Sequence, residues 1–434
     1  MLNKLKSNKF FISTLILLVG GSFSKFLGFI LKIIVTRYIG TEGIGLYSII
    51  SPTYSLFTVT AILSFPIAIS ALVSTPKRSS KKLIFSIIPV SLILNIIVIF
   101  IIFLISPILS NNLLHEPRLY YPILSIALTL PFVGLSSIIK GYFWGKQRMI
   151  PYITSNIVEQ IVRIILLVIF IPLVLRISLI YTICLIIAVN VISETSSIIV
   201  MLLFLPKGVS ITYEDLKPSK RDIKDILSIC IPSTSSKIVS SITYFLEPII
   251  LTSTLLFVGY SPSFIINEYG ILNGYAFAIL LLPHFFSISI STVLIPEVSS
   301  LYSQGKINKC KKRIKQIVIL SFIIGLISST ILFIFPTYFL KLIYNTTEGS
   351  SYVRVLAFVV VFYFIDTPIV NAMQALNKSK ESMYTTLVCS SIRLVLIFLL
   401  SLLKIGLYGV VIATSINIIV STILNIRCIK KTFK

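Results

Sequence analysis

Histidine is almost missing: His115 and His284 are the only two in 434 residues. His115 falls in a polar stretch and His284 in an apolar one, so no metal-ligand cluster forms and no metal is expected. No P-loop and no nucleophile elbow occurs, which removes an ATP-driven motor and the commonest hydrolase signature. The five cysteines (Cys184, Cys230, Cys310, Cys389 and Cys428) make no CxxC spacing and read as reduced structural thiols. Charged side chains are 12% of the chain, about half the usual share for a soluble protein. Period-two alternation is lacking, which excludes a membrane β-barrel. The longest polar loop runs only from Pro206 to Asp225, too short for a sizeable soluble domain. No cofactor and no catalytic residue is expected.

What the chain has instead is apolar length. Hydrophobic residues make up 56% of it, and the mean hydropathy is +1.01. Its apolar runs reach or exceed the ~20 residues that cross a bilayer and recur from end to end. Twelve spans are expected, over 10–39, 44–75, 82–110, 118–141, 152–175, 178–205, 226–258, 268–303, 315–340, 351–377, 382–403 and 407–429. The basic start followed by an apolar run has the look of a signal peptide. That run continues past any cleavage site, so an uncleaved first helix is expected.

The net charge of +24 invites a nucleic-acid partner, but its distribution argues otherwise. With the N-terminus inside, 27 of the 38 Lys and Arg fall in cytoplasmic loops and termini, and 6 fall outside. This is the positive-inside pattern of a multi-pass plasma-membrane protein with both termini cytoplasmic. The same charges attract anionic lipid headgroups, and no nucleic-acid partner is expected.

The chain also reads as two halves, 1–205 and 226–434, joined by a mixed-charge cytoplasmic linker over 206–225. The segment "FPIAISALVSTPKRSSKKL" runs parallel to "STVLIPEVSSLYSQGKINKCKKRI". Six spans in each half give both halves one orientation. The expected fold is therefore an all-α integral membrane protein of about 12 transmembrane helices in two six-helix bundles. A pseudo-two-fold axis along the membrane normal would relate the bundles, with a V-shaped central cavity between them.

Charges within the spans mark candidate sites, because each costs about 2.5–3.5 kcal/mol on insertion scales. The bases are Lys25, Lys32, Arg163, Lys237 and Arg393; the acids are Glu159, Glu194, Glu247, Glu297 and Asp366. Lys25 and Lys32 are seven apart, on one helical face that Ser22 and Thr36 extend. Ser233, Lys237, Ser240, Tyr244 and Glu247 form a similar stripe. Comparison of the halves sets Lys25 against Lys237 and Arg163 against Arg393. Such a cavity would take an anion, and a pyrophosphate suits Arg and Lys. Other readings stand beside this one. Glu159 and Arg163, at i,i+4, also fit simple neutralisation, and Lys32 and Glu297 lie near enough to span ends to snorkel. Glu159, Glu194, Glu247 and Asp366 suit either ion coupling or charge pairing. Pro52, Pro66, Pro131, Pro232, Pro248, Pro283, Pro296 and Pro368 recur in the spans, as kinks for alternating access or as ordinary packing.

Several longer stretches carry a resemblance. "TLILLVGGSFSKFLGFILKIIVTRYIGTEGIGLYSIISPTYSLF" with "FPIAISALVS", then "KGYFWGKQRMIPYITSNIVEQIVRI", "YFLEPIIL", "YGILNGYAFAILLLPHFFSISISTVLIPEVS" and "VNAMQALNKSK" appear in order along nearly the whole chain. Together they resemble the stage V sporulation protein B family of the multidrug/oligosaccharidyl-lipid/polysaccharide exporter superfamily. The resemblance implies a flippase for a lipid-linked oligosaccharide on undecaprenyl pyrophosphate, tied to spore cortex or cell-wall synthesis. It also implies basic residues in the first-span stretch "SKFLGFILK", where relatives often have Arg and this chain has Lys25 and Lys32. Lipid II flippases of the superfamily have fourteen spans, the last two forming a lipid groove, against the twelve expected here. The rival functions are a multidrug–cation antiporter on the same fold and a non-transporting scaffold that recruits cell-wall synthases.

Overall fold

The computed structural model describes residues 2–74, 80–205 and 218–433, without the side chains of 2–18, 236, 292, 293 and 296. Most of the expected linker, at 206–217, lies outside the described residues. So do Lys77 and Arg78 of the second basic loop and the side chains of Lys4, Lys6 and Lys9.

Among the described residues there is no strand. The helices are α1 (Leu2–Ile62), α2 (Phe65–Val73), α3 (Ser80–Ile108), α4 (Tyr120–Gly145), α5 (Met149–Leu175), α6 (Leu179–Leu203) and α7 (Lys220–Val258). They continue as α8 (Pro262–Gly270), α9 (His284–Ser303), α10 (Ile307–Ile334), α11 (Pro336–Tyr344), α12 (Ser350–Ala375), α13 (Ser379–Ser401) and α14 (Tyr408–Thr432). A π-helical stretch, Ile271–Ala276, and one more turn, Phe277–Leu280, extend α8.

Ten of the described helical segments are long and apolar enough to cross a membrane, and eleven if one bent pair is counted. That pair, Pro262–Leu280 with His284–Ser291, bends by 55° where Pro283 interrupts it. One of the ten, Val19–Val73, has 55 residues, more than twice what one crossing needs. It is broken at Gly40, whose φ of 66° and ψ of −170° suit only glycine. A second break, at Leu63 and Ser64, both with positive φ, sets Pro66 in the first turn of α2. Proline is at home there because its missing N–H has no partner in that turn anyway. Pro52 lies in the part of α1 after Gly40, and Pro131 and Pro368 lie inside α4 and α12.

The chain forms two compact units. One comprises 1–39 and 50–245, and the other 40–49 and 246–434. In the first, α2 packs on α3 and α4, α3 on α4, α4 on α5 and α6, and α5 on α6. In the second, α9 packs on α10 and α12, α10 on α12, α12 on α13 and α14, and α13 on α14. The six pairings correspond one for one in chain order, so the packing pattern repeats.

Each unit has a core where that pattern begins. Phe65, Ile69, Leu83, Ile87 and Ile138 form it in the first, joined by Ile226 and Cys230 of α7. Leu294, Val298, Cys310, Ile314, Ile317 and Ala372 form it in the second. The turn after the third helix of each pattern, α4 and α12, is built alike. Gln147 and Asn377 take φ of 55° and 58°. The next N–H bonds five residues back, Arg148 to the Phe143 carbonyl at 3.0 Å and Lys378 to the Met373 carbonyl at 2.8 Å. This 6→1 bond satisfies an orphan carbonyl at the helix end and reverses the chain sharply.

Candidate functional site

A base within an apolar helix either finds a carboxylate or keeps its charge for something outside the protein. The structure separates the expected residues along this line. In the first unit, Arg163 of α5 donates from Nη2 to Glu159 Oε1 at 2.9 Å, one helical turn earlier. Its Nε and Nη2 also donate to Ser193 Oγ of α6, at 3.2 and 3.1 Å. The neutralisation reading of the i,i+4 spacing thus describes this contact. Lys140 of α4 completes the group, with its ammonium 2.9 Å from Glu159 and 3.4 Å from Glu194 of α6. Both carboxylates are buried, and two bases face two acids. A network of this kind is stable only when fully satisfied.

In the second unit, Arg393 of α13 donates from Nη2 to Glu247 Oε1 at 2.7 Å and from Nε to Thr414 Oγ1 at 3.1 Å. Glu247 comes from α7 and is 3% exposed at its side chain. The two arginines therefore sit on corresponding helices, each held by one carboxylate and by a hydroxyl on the following helix. The carboxylate comes from the same helix in one unit and from a different helix in the other.

Asp366 of α12 takes a different partner. Its Oδ1 accepts from Asn425 Nδ2 of α14 at 2.9 Å, and no base pairs with it among the described residues. Glu297 pairs with Arg313 at 2.7 Å, and both side chains are substantially exposed.

Lys25 and Lys237 differ from the arginines. Both are exposed, and neither has a hydrogen bond or carboxylate partner among the described residues. Lys237, expected on the second half, lies on the part of α7 that belongs to the first unit. Lys32 is half-buried. Thr36, expected to extend their polar stripe, is buried, and its hydroxyl has no hydrogen-bond partner.

Sequence reasoning missed Lys140, Ser193, Thr414 and Asn425. Lys140 stood among the loop bases, because the apolar run ends beside it. Its place near the end of α4 let it count as cytoplasmic, although its ammonium turns toward α5 and α6. The other three are small polar residues in apolar helices, which sequence alone does not tell from lone helix hydroxyls and amides.

Comparison with known proteins adds identity to this geometry. Over 433 residues the chain is 28% identical to Stage V sporulation protein B of Bacillus subtilis (strain 168), covering 97% of this chain and 84% of that protein. It is 25% identical to Sporulation protein YkvU of the same organism, over 98% of this chain and 96% of the other. A shorter stretch of 174 residues, 37% of this chain and 32% of that protein, is 32% identical to its Lipid II flippase MurJ. Among solved structures, an inward-facing multidrug resistance MATE family transporter of the MOP superfamily superposes with a TM-score of 0.76 at 15% identity, covering 94% of both chains. The inward closed conformation of Lipid II flippase MurJ gives 0.73 at 18% identity, over 96% of this chain and 88% of that one. The fold is therefore the all-helical transporter fold that these structures share. The MatE family matches over residues 240–399. With residues 12–302 matching the family described as Polysaccharide biosynthesis protein, the chain belongs to that family of membrane proteins.

Proposed function

We propose that this protein is a flippase for a lipid-linked oligosaccharide, moving the pyrophosphate-borne headgroup across the plasma membrane while the lipid tail stays in the bilayer. The observation that carries the reading is the division among the bases. Arg163 and Arg393 are held by buried carboxylates, whereas Lys25 and Lys237 are exposed with no hydrogen-bond or carboxylate partner among the described residues. An unpaired ammonium within a span is costly unless water or an anionic ligand meets it. A pyrophosphate supplies that anion, with Lys32 adding to the field. Arg163 and Arg393 then serve chiefly to hold their helices in register, and exchange of their carboxylates for substrate oxygens would bring them into play.

The proposal includes twelve spans, counting Val19–Val73 as two and the bent pair as one. It includes the halves 1–205 and 226–434 about a pseudo-two-fold axis, the linker 206–225, a V-shaped cavity and cytoplasmic termini. The names of the relatives, a lipid II flippase and two sporulation proteins, point to peptidoglycan or a related precursor. Cell-wall synthases are natural neighbours for such a step, and anionic lipids for its basic loops. Transport, not bond chemistry, is the activity proposed. Asp366, an in-span acid with an amide partner and no base among the described residues, is the site proposed for a coupling cation.

The test is reconstitution into liposomes with a fluorescent lipid-linked precursor, following headgroup accessibility on both leaflets. Lys25→Gln and Lys237→Gln should each slow translocation by at least about tenfold, with thermal stability unchanged. Headgroup movement at the wild-type rate in the double variant would sink the cavity assignment.

A further inference from the structure

Away from these charges, the second unit carries a groove of about 500 Å³, a size typical of small-ligand sites. It runs over α12 between α10 and α14. Ile314 and Val318 of α10, Ile369 of α12, and Ile426 and Ile429 of α14 form its floor. Lys311, Lys315 and Lys430 stand at one end of it. The register explains the shape. On α10, 311, 314, 315 and 318 share one face, and on α14, 426, 429 and 430 do the same, with Phe433 one residue past its end. Each helix thus turns a stripe of apolar residues and lysine into the groove, with Phe433 beyond Lys430. Lys311 also bridges the helices, donating to the Phe433 carbonyl at 3.2 Å with its ammonium 5.4 Å from the Phe433 ring centroid.

None of the three lysines has a carboxylate partner among the described residues, while the nearby Arg313 and Lys378 are paired with Glu297 and Glu381. The groove is therefore apolar along its length and cationic at one end. We propose that it holds an anionic glycerophospholipid, with its phosphate on Lys311, Lys315 and Lys430 and an acyl chain along the isoleucines. Basic pockets between membrane helices on the cytoplasmic side recognise such headgroups. Charge complementarity selects this occupant over a second copy of the chain. With 38 basic against 14 acidic residues, a second copy brings mostly like charge to the lysines. The proposal goes beyond the flippase reading and shares with it only the cytoplasmic placement of the loop before α10.

The experiment is native mass spectrometry of the full chain in detergent, titrated with phosphatidylglycerol or phosphatidylethanolamine. Each lysine near an anionic group contributes about fivefold, so Lys311→Gln/Lys315→Gln/Lys430→Gln should lose phosphatidylglycerol on the order of a hundredfold. Binding of phosphatidylethanolamine should hardly change. Ile426→Trp, which fills the groove and keeps the charges, should reduce phosphatidylglycerol retention, and the triple arginine variant should keep it. Equal phosphatidylglycerol retention by wild type, the triple glutamine variant and Ile426→Trp would overturn the proposal. So would displacement of the lipid by glycerol phosphate alone, or a cross-link from a cysteine at 426 to a second copy in phosphatidylglycerol vesicles. Lipid retention is read without any translocation, so this result and the flippase result stand or fall separately.

Discussion

Glu247→Gln keeps the shape of its side chain and removes the counter-charge of Arg393. The two come from different helices, α13 and α7, with Nη2 and Oε1 2.7 Å apart, and the side chains are 24% and 3% exposed. At an effective dielectric constant of about 20, unit charges ~4 Å apart attract by about 4 kcal/mol. Leaving one member of a buried pair alone costs roughly 3–5 kcal/mol. Arg393 keeps its bond to Thr414 and some exposure, which lowers the expected cost to about 2–4 kcal/mol. Interhelical hydrogen bonds in membrane proteins average only about 0.6 kcal/mol. The assay is equilibrium unfolding by sodium dodecyl sulfate in mixed micelles, on Glu247→Gln, Arg393→Met and the double variant. Each single variant should lose about 2–4 kcal/mol, and the double variant little more than one of them. A coupling energy at or below about 0.6 kcal/mol would refute the reasoning, because the pair would then behave as an ordinary hydrogen bond.

Lys140→Met should destabilise the first unit by about 2–4 kcal/mol, since it strips the ammonium from two buried carboxylates. Adding Glu194→Gln should recover most of that loss in the same unfolding assay, because Glu159 keeps Arg163. Gly270→Ala should cost about 1–3 kcal/mol. A Cβ there would meet the Thr41 carbonyl oxygen at 2.6 Å and the Gly45 backbone at 2.7 Å, neither of which can swing aside. Gly21→Ala, with nothing within 4 Å of the added carbon, is the control and should leave the melting temperature level or slightly higher.

The spans were legible because burial in lipid demands long apolar runs, and Gly40 falls at the expected boundary between the first two. Ser64 was not read as a break: a left-handed serine carries no mark of its own, and only Pro66, two residues on, signals a helix start. The resemblance between the second-to-third and eighth-to-ninth segments has its counterpart in the packing of α2 on α3 and of α9 on α10. Charge partners were harder to read. Glu159 with Arg163 follows from helical spacing alone. Glu247 with Arg393 spans 146 residues, and no local pattern joins them. Lys140 was hidden for a third reason: a lysine stem is long enough to begin at a helix end and reach inward.

These pairings change what the in-span charge means. Counted by sequence, the bases and acids of the spans look like one reservoir that a ligand draws on. In the structure, Glu159, Glu194 and Glu247 are engaged by Arg163, Lys140 and Arg393, and these contacts tie α4 to α5 and α6, and α7 to α13. Neutral clusters of this kind exert little field at a distance. On the proposed flippase reading, the field that would attract an anion comes from ammonium groups outside the clusters, with Lys25 and Lys237 foremost. Each costs insertion energy of about 2.5–3.5 kcal/mol that no partner among the described residues offsets. Under the same proposal, helices tied by neutral clusters, with lysines left to an anionic ligand, would let the protein bind that ligand without breaking the ties. On that division, charge-removing variants split into two classes: Arg163, Arg393 and Lys140 move the unfolding curve, and Lys25 and Lys237 move the translocation rate.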